Sequence, residues 1–211
     1  GPYGDLYCID IHTHQPVWKA NIWTDFGGAP GNTPPDGGEE EPGGFSIPEN
    51  FPIWAISQCP LVYGDLLIVL SQAPDAGAVA YDKATGEMVW KTPNLGNESY
   101  ASPSIVKIDG EDHIVFVISS TNPIGRRDLP QTLGNVVGIE PLTGKILWNY
   151  DKWDCHISVP SAFDAGDNKV LVVGGYELGA VMLQVDKRAD GTYTTTELLR
   201  TEEFGDQTKP P

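Results

Sequence analysis

Basic residues are scarce in this chain: 13 Lys and Arg stand against 29 Asp and Glu, for a formal net charge of −16 over 211 residues. Such a surface repels phosphate backbones and anionic headgroups. It therefore speaks against nucleic acid or an anionic membrane surface as a partner and leaves a cationic partner, or plain solubility, as the meaning of the charge. Long apolar runs are also missing, since LLIVL and KVLVV are strand-sized and far short of a membrane span. No Gly-x-Ser-x-Gly elbow, P-loop or His-Glu-x-x-His occurs. Cysteine is limited to Cys8, Cys59 and Cys155. A structural role is expected for all three, as small buried strand residues at Cys8 and Cys59, with a disulfide left open. Cys155 beside His156 lacks the second cysteine of a haem-attachment motif, because Lys152 stands in that place.

What the chain has in abundance is repetition. GDLYCIDIHTHQPVW ends at Trp18, GAVAYDKATGEMVW at Trp90 and GNVVGIEPLTGKILW at Trp148. An acidic residue (Asp10, Asp82, Glu140) precedes each tryptophan by eight positions and a threonine (Thr13, Thr85, Thr143) by five. A recurring unit decides the fold before any single motif does. Each copy reads as two strands around a tight turn, in which the carboxylate and hydroxyl accept turn N–H groups and Gly86 or Gly144 takes positive φ. His14 replaces the glycine in the first copy, and histidine is among the residues enriched at positive φ. Cys8, Ala80 and Gly138, two places before the acidic residue, are all small. They mark a crowded position where another layer is expected to pack closely.

A second element precedes the two later copies and recurs after the third. Cys59-Pro60-Leu61-Val62-Tyr63 runs through Gly64-Asp65 into LLIVLS; Ser102-Pro103-Ser104-Ile105-Val106 runs through Asp109-Gly110 into HIVFVIS; Val159-Pro160-Ser161 runs through Gly166-Asp167 into KVLVVGG. Each reads as a strand opened by proline, a Gly/Asp turn and an apolar strand. Joined to the tryptophan element, this makes four antiparallel strands per unit. Radial repetition of such units is a β-propeller, and the 24 glycines and 18 prolines suit its many short turns.

The two motifs together resemble the quinoprotein-type, PQQ-like propeller repeat, found in pyrroloquinoline-quinone dehydrogenases and in the propeller lipoprotein of the outer-membrane assembly machine. The resemblance extends over nearly the whole chain outside two insertions. It implies an all-β fold, a tryptophan docked between blades at Trp18, Trp90 and Trp148, and a periplasmic or extracellular location. Many proteins with this repeat are uncharacterised bacterial propellers. The register predicts the end of a blade over 1–23, an insertion over 24–52, blades over 53–92 and 97–150, a blade with an atypical last strand over 153–200, and a linker over 201–211. These make about three and a half blades, too few to close a ring of 4–8, and the resemblance implies a parent ring of seven or eight. An excerpt of a longer chain, or a second copy completing the ring, would account for this. Uncapped ends favour the excerpt, and a start inside a blade would also explain why no signal peptide is visible.

The insertions break the repeat. Thr24 to Pro52, with its GGAPGNTPPDGGEEEPGG run, is too polar and Gly/Pro-rich to fold alone, and irregular structure is expected around Glu39 to Glu41. Thr121 to Leu133 splits a blade and carries Arg126 and Arg127, a pair suited either to an anion or to a nearby acidic surface. His12 and His14 could share one edge of a metal, but no third ligand stands at readable spacing, and an exposed turn is expected.

Ligands of propellers commonly sit on the face made by the loops that join one blade to the next. Here those loops carry Trp54 and Gln58, then Asn97, Tyr100 and Ser102, then Trp153, His156 and Ser158. Aromatic and amide groups of this kind suit stacking on carbohydrate, peptide or quinone, and the same residues suit packing over the next blade. The resembled dehydrogenases hold their quinone with an adjacent-cysteine disulfide ring and a calcium ion caged by acidic and amide side chains. This chain has no adjacent cysteines and no matching acidic segment, so neither pyrroloquinoline quinone nor calcium is expected. Two readings follow: a non-catalytic scaffold that binds a protein or extracellular ligand through its loops, or a quinone-dependent oxidoreductase whose cofactor site lies in blades outside this sequence.

Overall fold

The structure is a computed structural model and describes residues 3–29, 51–52, 55–96, 99–119, 135–153, 155 and 157–205. Trp54, Asn97, His156, Arg126, Arg127 and Glu39 to Glu41 lie outside the described residues. Among the described residues the chain is all-β apart from one 3-10 turn, Thr24–Phe26. Strands β1 (Asp5–Ile9) and β2 (Pro16–Asn21) pair with each other as a first, two-stranded sheet. A second sheet runs β3 (Leu61–Tyr63), β4 (Leu66–Ala73), β5 (Ala76–Asp82), β6 (Met88–Lys91). A third runs β7 (Ser104–Ile108), β8 (Glu111–Ile118), β9 (Asn135–Ile139), β10 (Ile146–Tyr150), and a fourth β11 (Phe163–Gly166), β12 (Lys169–Gly174), β13 (Gly179–Lys187), β14 (Tyr193–Thr201). Each is antiparallel with its strands in chain order, which is the arrangement of propeller blades.

The strand period of two distributes side chains to two different cores. On β4, Val69 joins Ile22, Trp23, Phe51 and Tyr81 between the first and second sheets, whereas Ile68 and Leu70 face Ile114, Phe116 and Ile139 between the second and third. On β8, Val115 and Val117 turn the other way, toward Val170, Val172 and Val181 of the fourth sheet. Both faces of β5 are therefore buried, from Ala76 to Tyr81, and its alternation separates two cores rather than core from solvent.

Expected strand openings hold at Pro60 and Pro103, which directly precede β3 and β7. Pro160 stands three residues ahead of β11. The fourth unit completes itself with the nine-residue β14, which reaches Thr201. Cys59 corrects an expectation: it is exposed and outside any strand, while Cys8 is half-buried in β1, Cys155 is buried, and no disulfide joins any two of the three. Its place before Pro60, in the connection entering the blade, explains the exposure.

The acidic-threonine turns are built alike. Asp82 Oδ1 accepts the backbone N–H groups of Ala84 and Thr85 at 2.9 and 2.8 Å, and Asp10 Oδ1 those of His12 and Thr13 at 2.9 and 2.7 Å. Glu140 reaches Leu142 and Thr143 with its two oxygens, at 3.1 and 2.7 Å. His14, Gly86 and Gly144 occupy the left-handed position at φ 58°, 76° and 72°. His12 and His14 are both exposed in this turn.

These turns receive the preceding tryptophan. Trp18 lies against Gly86, where an added Cβ would meet the ring at 2.6 Å, and its Nε1 donates to Lys83 O at 3.0 Å. Trp90 repeats this one blade on, against Gly144 and with Nε1 donating to Pro141 O at 3.1 Å. Trp148 departs from the pattern. Its ring covers Gly138 of its own blade, where a Cβ would approach to 2.1 Å, and its Nε1 donates to His113 Nδ1 at 2.9 Å. Cys8, Ala80 and Gly138 each stand opposite their blade's tryptophan in the ladder. At Gly138 the crowding comes from that partner's indole and not from another layer.

Candidate functional site: the interblade loop face

Antiparallel order places the connections between sheets at the same end as the hairpins joining the second and third strands of each. That end is the loop face. Its three consecutive connections are tied together at Ser102. Cys59 N donates to Ser102 Oγ at 2.9 Å, and Ser161 Oγ donates to Ser102 O at 2.7 Å. Tyr100 N donates to Ser158 O at 2.8 Å. One serine thus links the entries to the second, third and fourth sheets.

Those of the expected contact residues that are described are buried or half-buried. Tyr100 and Ser158 are buried, Trp153 is fully buried, and Ser102 and Gln58 are half-buried. Trp153 lies under the Arg200 guanidinium, 5.9 Å from its ring centroid. Gln58 Nε2 donates to Leu70 O at 2.7 Å. Three polar atoms in these segments, Gln58 Oε1, Trp153 Nε1 and Ser158 Oγ, are buried without a hydrogen-bond partner in the protein. Among the described residues, the exposed rim of the face includes Ser57, Cys59, Tyr176 and Glu177. Tyr176 and Glu177 hold φ 57° and 64° at the tip of the β12–β13 hairpin, a conformation non-glycine residues adopt at a cost.

Residues that the repeat alone does not point to complete this framework. Gln72, at φ 62° in a bulge of β4, pairs its side-chain amide with a backbone amide as strands pair with each other. Ser99 N donates to Gln72 Oε1 at 2.6 Å, and Gln72 Nε2 donates to Ser99 O at 2.9 Å. Ser99 Oγ donates to Val117 O at 2.6 Å, and Ser71 Oγ donates to Ile22 O. The signal was the polar pair Ser71-Gln72 closing an otherwise apolar run, since a buried polar side chain demands a partner. A cleft of about 120 Å³ lies beside this framework, lined by Asp5, Leu6, Ile22, Ile56, Gln58 and Val69.

Titration follows burial and contact. Burial pushes the Tyr81 hydroxyl up to about 12, and burial with the Glu197 bond does the same for Tyr150, also about 12. The N–H of Thr13 and then that of His12 hold Asp10 below the ordinary carboxylate range. Among the described residues no three His, Cys, Asp or Glu side chains converge to hold a metal ion.

Four-stranded antiparallel units in series, each bearing the acidic-threonine turn and the docking tryptophan, are matched over residues 1–189 by the family model described as "Outer membrane protein assembly factor BamB". The chain belongs to that PQQ-like propeller family. No curated protein matches the sequence. Among solved structures, BamB from Moraxella catarrhalis is similar at 15% identity with a TM-score of 0.50. The match covers 99% of this chain and 46% of that one, so the chain spans less than half of this relative's length. Quinohemoprotein alcohol dehydrogenase ADHIIG from Pseudomonas putida HK5 aligns at 14% identity and a TM-score of 0.38, covering 93% of this chain and 32% of that one. At these identities the likeness to BamB establishes a shared propeller fold. Among the described residues no helix is long and apolar enough to cross a membrane.

Proposed function

We propose that this chain is a non-catalytic propeller scaffold that docks a protein partner on its loop face, outside the cytoplasm. The observation that carries this reading is the lacing of three successive connections through Ser102, because a pre-organised face loses little entropy on binding. Membership of a family described as an assembly factor agrees with a protein partner. The charge of −16 suits a partner that presents basic residues. A ring completed by further blades, from a longer chain or a second copy, would extend the same face.

The quinone reading fits these residues poorly. A quinone clamp of the expected kind needs adjacent cysteines joined by a disulfide, and Cys8, Cys59 and Cys155 are far apart in the sequence and form none. A calcium cage needs converging oxygen ligands, and the described residues bring no three acidic side chains together. Neither pyrroloquinoline quinone nor calcium is assigned to this chain.

Photo-crosslinking in the native cell tests the scaffold. A crosslinker at Ser57 or Tyr176, on the loop face, should capture one recurring protein that a crosslinker at the exposed Leu142, on the opposite turns, does not. Capture confined to Leu142, or tight stoichiometric quinone uptake with dye-linked alcohol oxidation, would overturn the reading.

A further inference from the structure

The contact between the third and fourth sheets contains a histidine whose position serves neither the repeat nor the loop face. His113, on β8, is 1% exposed. Gly138 on the intervening β9 has no side chain, so the Trp148 indole crosses that strand and reaches the imidazole, Nε1 to Nδ1, at 2.9 Å. From the fourth sheet the Tyr193 ring meets His113 edge to face, with centroids 4.8 Å apart and planes at 83°. His113 Nε2 is buried and has no hydrogen-bond partner. Leu66 holds the corresponding place before the apolar run of β4, in Asp65-Leu66-Leu67 against Asp112-His113-Ile114.

The tautomer follows from the donor. An indole N–H only donates, so Nδ1 must accept and the proton of neutral His113 resides on Nε2. A second proton would go to Nδ1, directly facing the Trp148 N–H. Two donors then oppose each other, and a cation is placed in a dry interface.

The surrounding charges give that cation limited relief. Glu111, from the same strand, is already engaged: Lys187 Nζ lies 2.7 Å from its Oε1, and Tyr193 Oη donates to its Oε2 at 2.7 Å. Asp112 is held by Lys107 at 2.6 Å and accepts from Tyr63 at 3.2 Å. Asp109 accepts from Asn168 at 2.6 Å. Lys187 itself opposes a second positive charge. Burial, the largest influence, holds the imidazole below its ordinary pKa, although Glu111, Asp109 and Asp112 pull the other way.

We propose that His113 is an acid-released latch: while neutral it anchors Trp148 at the contact with the fourth sheet, and on protonation it lets the indole go and loosens that contact. The sign follows from linkage. The unfolded chain binds the proton near 6.5 and the folded chain binds it less readily. Stability is complete above the unfolded value and falls as the pH drops from about 6.5 through the lowered folded value.

Nitrogen-detected NMR of histidine-labelled protein is the direct test, because it reads tautomer and titration in the unaltered chain. His113 should show a protonated Nε2 and a bare Nδ1 at pH 7.5, and should titrate below 6.5 with simultaneous change at the Trp148 indole proton. Thermal unfolding between pH 7.5 and 5 gives the second arm. The unaltered chain should lose about 3 °C more than His113→Asn, whose amide oxygen can accept in place of Nδ1 but cannot charge. If that variant does not fold, His113→Leu, after the residue at Leu66, takes its place. An Nδ1-protonated tautomer, or titration at 6.5 that leaves the indole signal unmoved, would overturn the latch, as would equal pH slopes in the unaltered chain and variant.

Discussion

Two of the contacts between successive sheets in this molecule obey one rule and the third does not. At the first two, a tryptophan lies on the glycine of the next blade's turn and donates to a backbone carbonyl, Trp18 to Lys83 and Trp90 to Pro141. Nothing in those bonds titrates. At the third, the fourth unit's turn is Asp190-Gly191, and Trp148 turns back to a side-chain acceptor, His113. Around the valine core of that contact lie polar and charged pairs. Tyr150 Oη donates to Glu197 and receives Arg200 Nη2 at 2.7 Å, Asp164 Oδ2 accepts from Lys107 N at 2.9 Å, and Asn168 Oδ1 from Asp109 N at 2.7 Å. When the repeat loses its turn, side-chain pairs replace a backbone acceptor, and the tryptophan's own bond at this contact is expected to depend on pH, which the other two tryptophan bonds are not.

The strongest way to break the comparison is to remove the rings. Trp90→Ala and Trp148→Ala should each cost roughly 3–5 kcal/mol, measured by chemical denaturation, since these side chains are 7% and 4% exposed. Trp18→Ala should cost less, because its ring is half-buried. Equal losses at all three would show that burial does not rank the contacts.

Added methyl groups come next. Gly144→Ala and Gly138→Ala should each cost about 1–3 kcal/mol by overpacking, the first against Trp90 and the second against Trp148. They differ in readout. Gly138→Ala should move the His113 titration toward 6.5, while Gly144→Ala should leave it in place; identical behaviour would dissolve the distinction between the contacts.

Tyr150→Phe should cost about 1 kcal/mol by removing the hydroxyl shared by Glu197 and Arg200, with unfolding followed in low and high salt. The smallest effect belongs to the turns. The Thr13 N–H, then that of His12, hold Asp10 down, and the Thr85 N–H, then that of Ala84, hold Asp82 down. Their contribution is present above about 3.9, the unfolded value, and is lost as the pH falls through the lowered folded values. Asp10→Asn and Asp82→Asn should flatten the acid limb of the stability curve by lowering stability slightly near neutrality, with the least change at the lowest pH.

The blades were legible because a propeller repeats its constraints locally. The acidic-threonine turn, the position needing positive φ and the docking ring lie within eight residues of one another. His14, in the left-handed conformation at φ 58°, shows that even the exception to glycine was readable from residue type. Burial on the loop face was not. Tyr100 and Trp153 carry the residue types of a binding surface and are packed away, because their partners come from segments tens of residues distant: the Tyr100 backbone N–H is bonded to Ser158 O, and the Arg200 guanidinium lies over the Trp153 ring.

Local sequence therefore determined the strands, the turns and the division of the inner strands β4, β5 and β8 between two cores, since these follow from a period of two and from backbone conformations available to each residue. Tertiary structure alone decided which acceptor each tryptophan finds. Trp90 and Trp148 occupy the same place in the repeat, yet one indole meets Pro141 O and the other meets His113 Nδ1. The difference depends on a glycine in the neighbouring strand and on the fourth unit's turn, whose approach is set by packing between sheets and by no nearest neighbour in the chain.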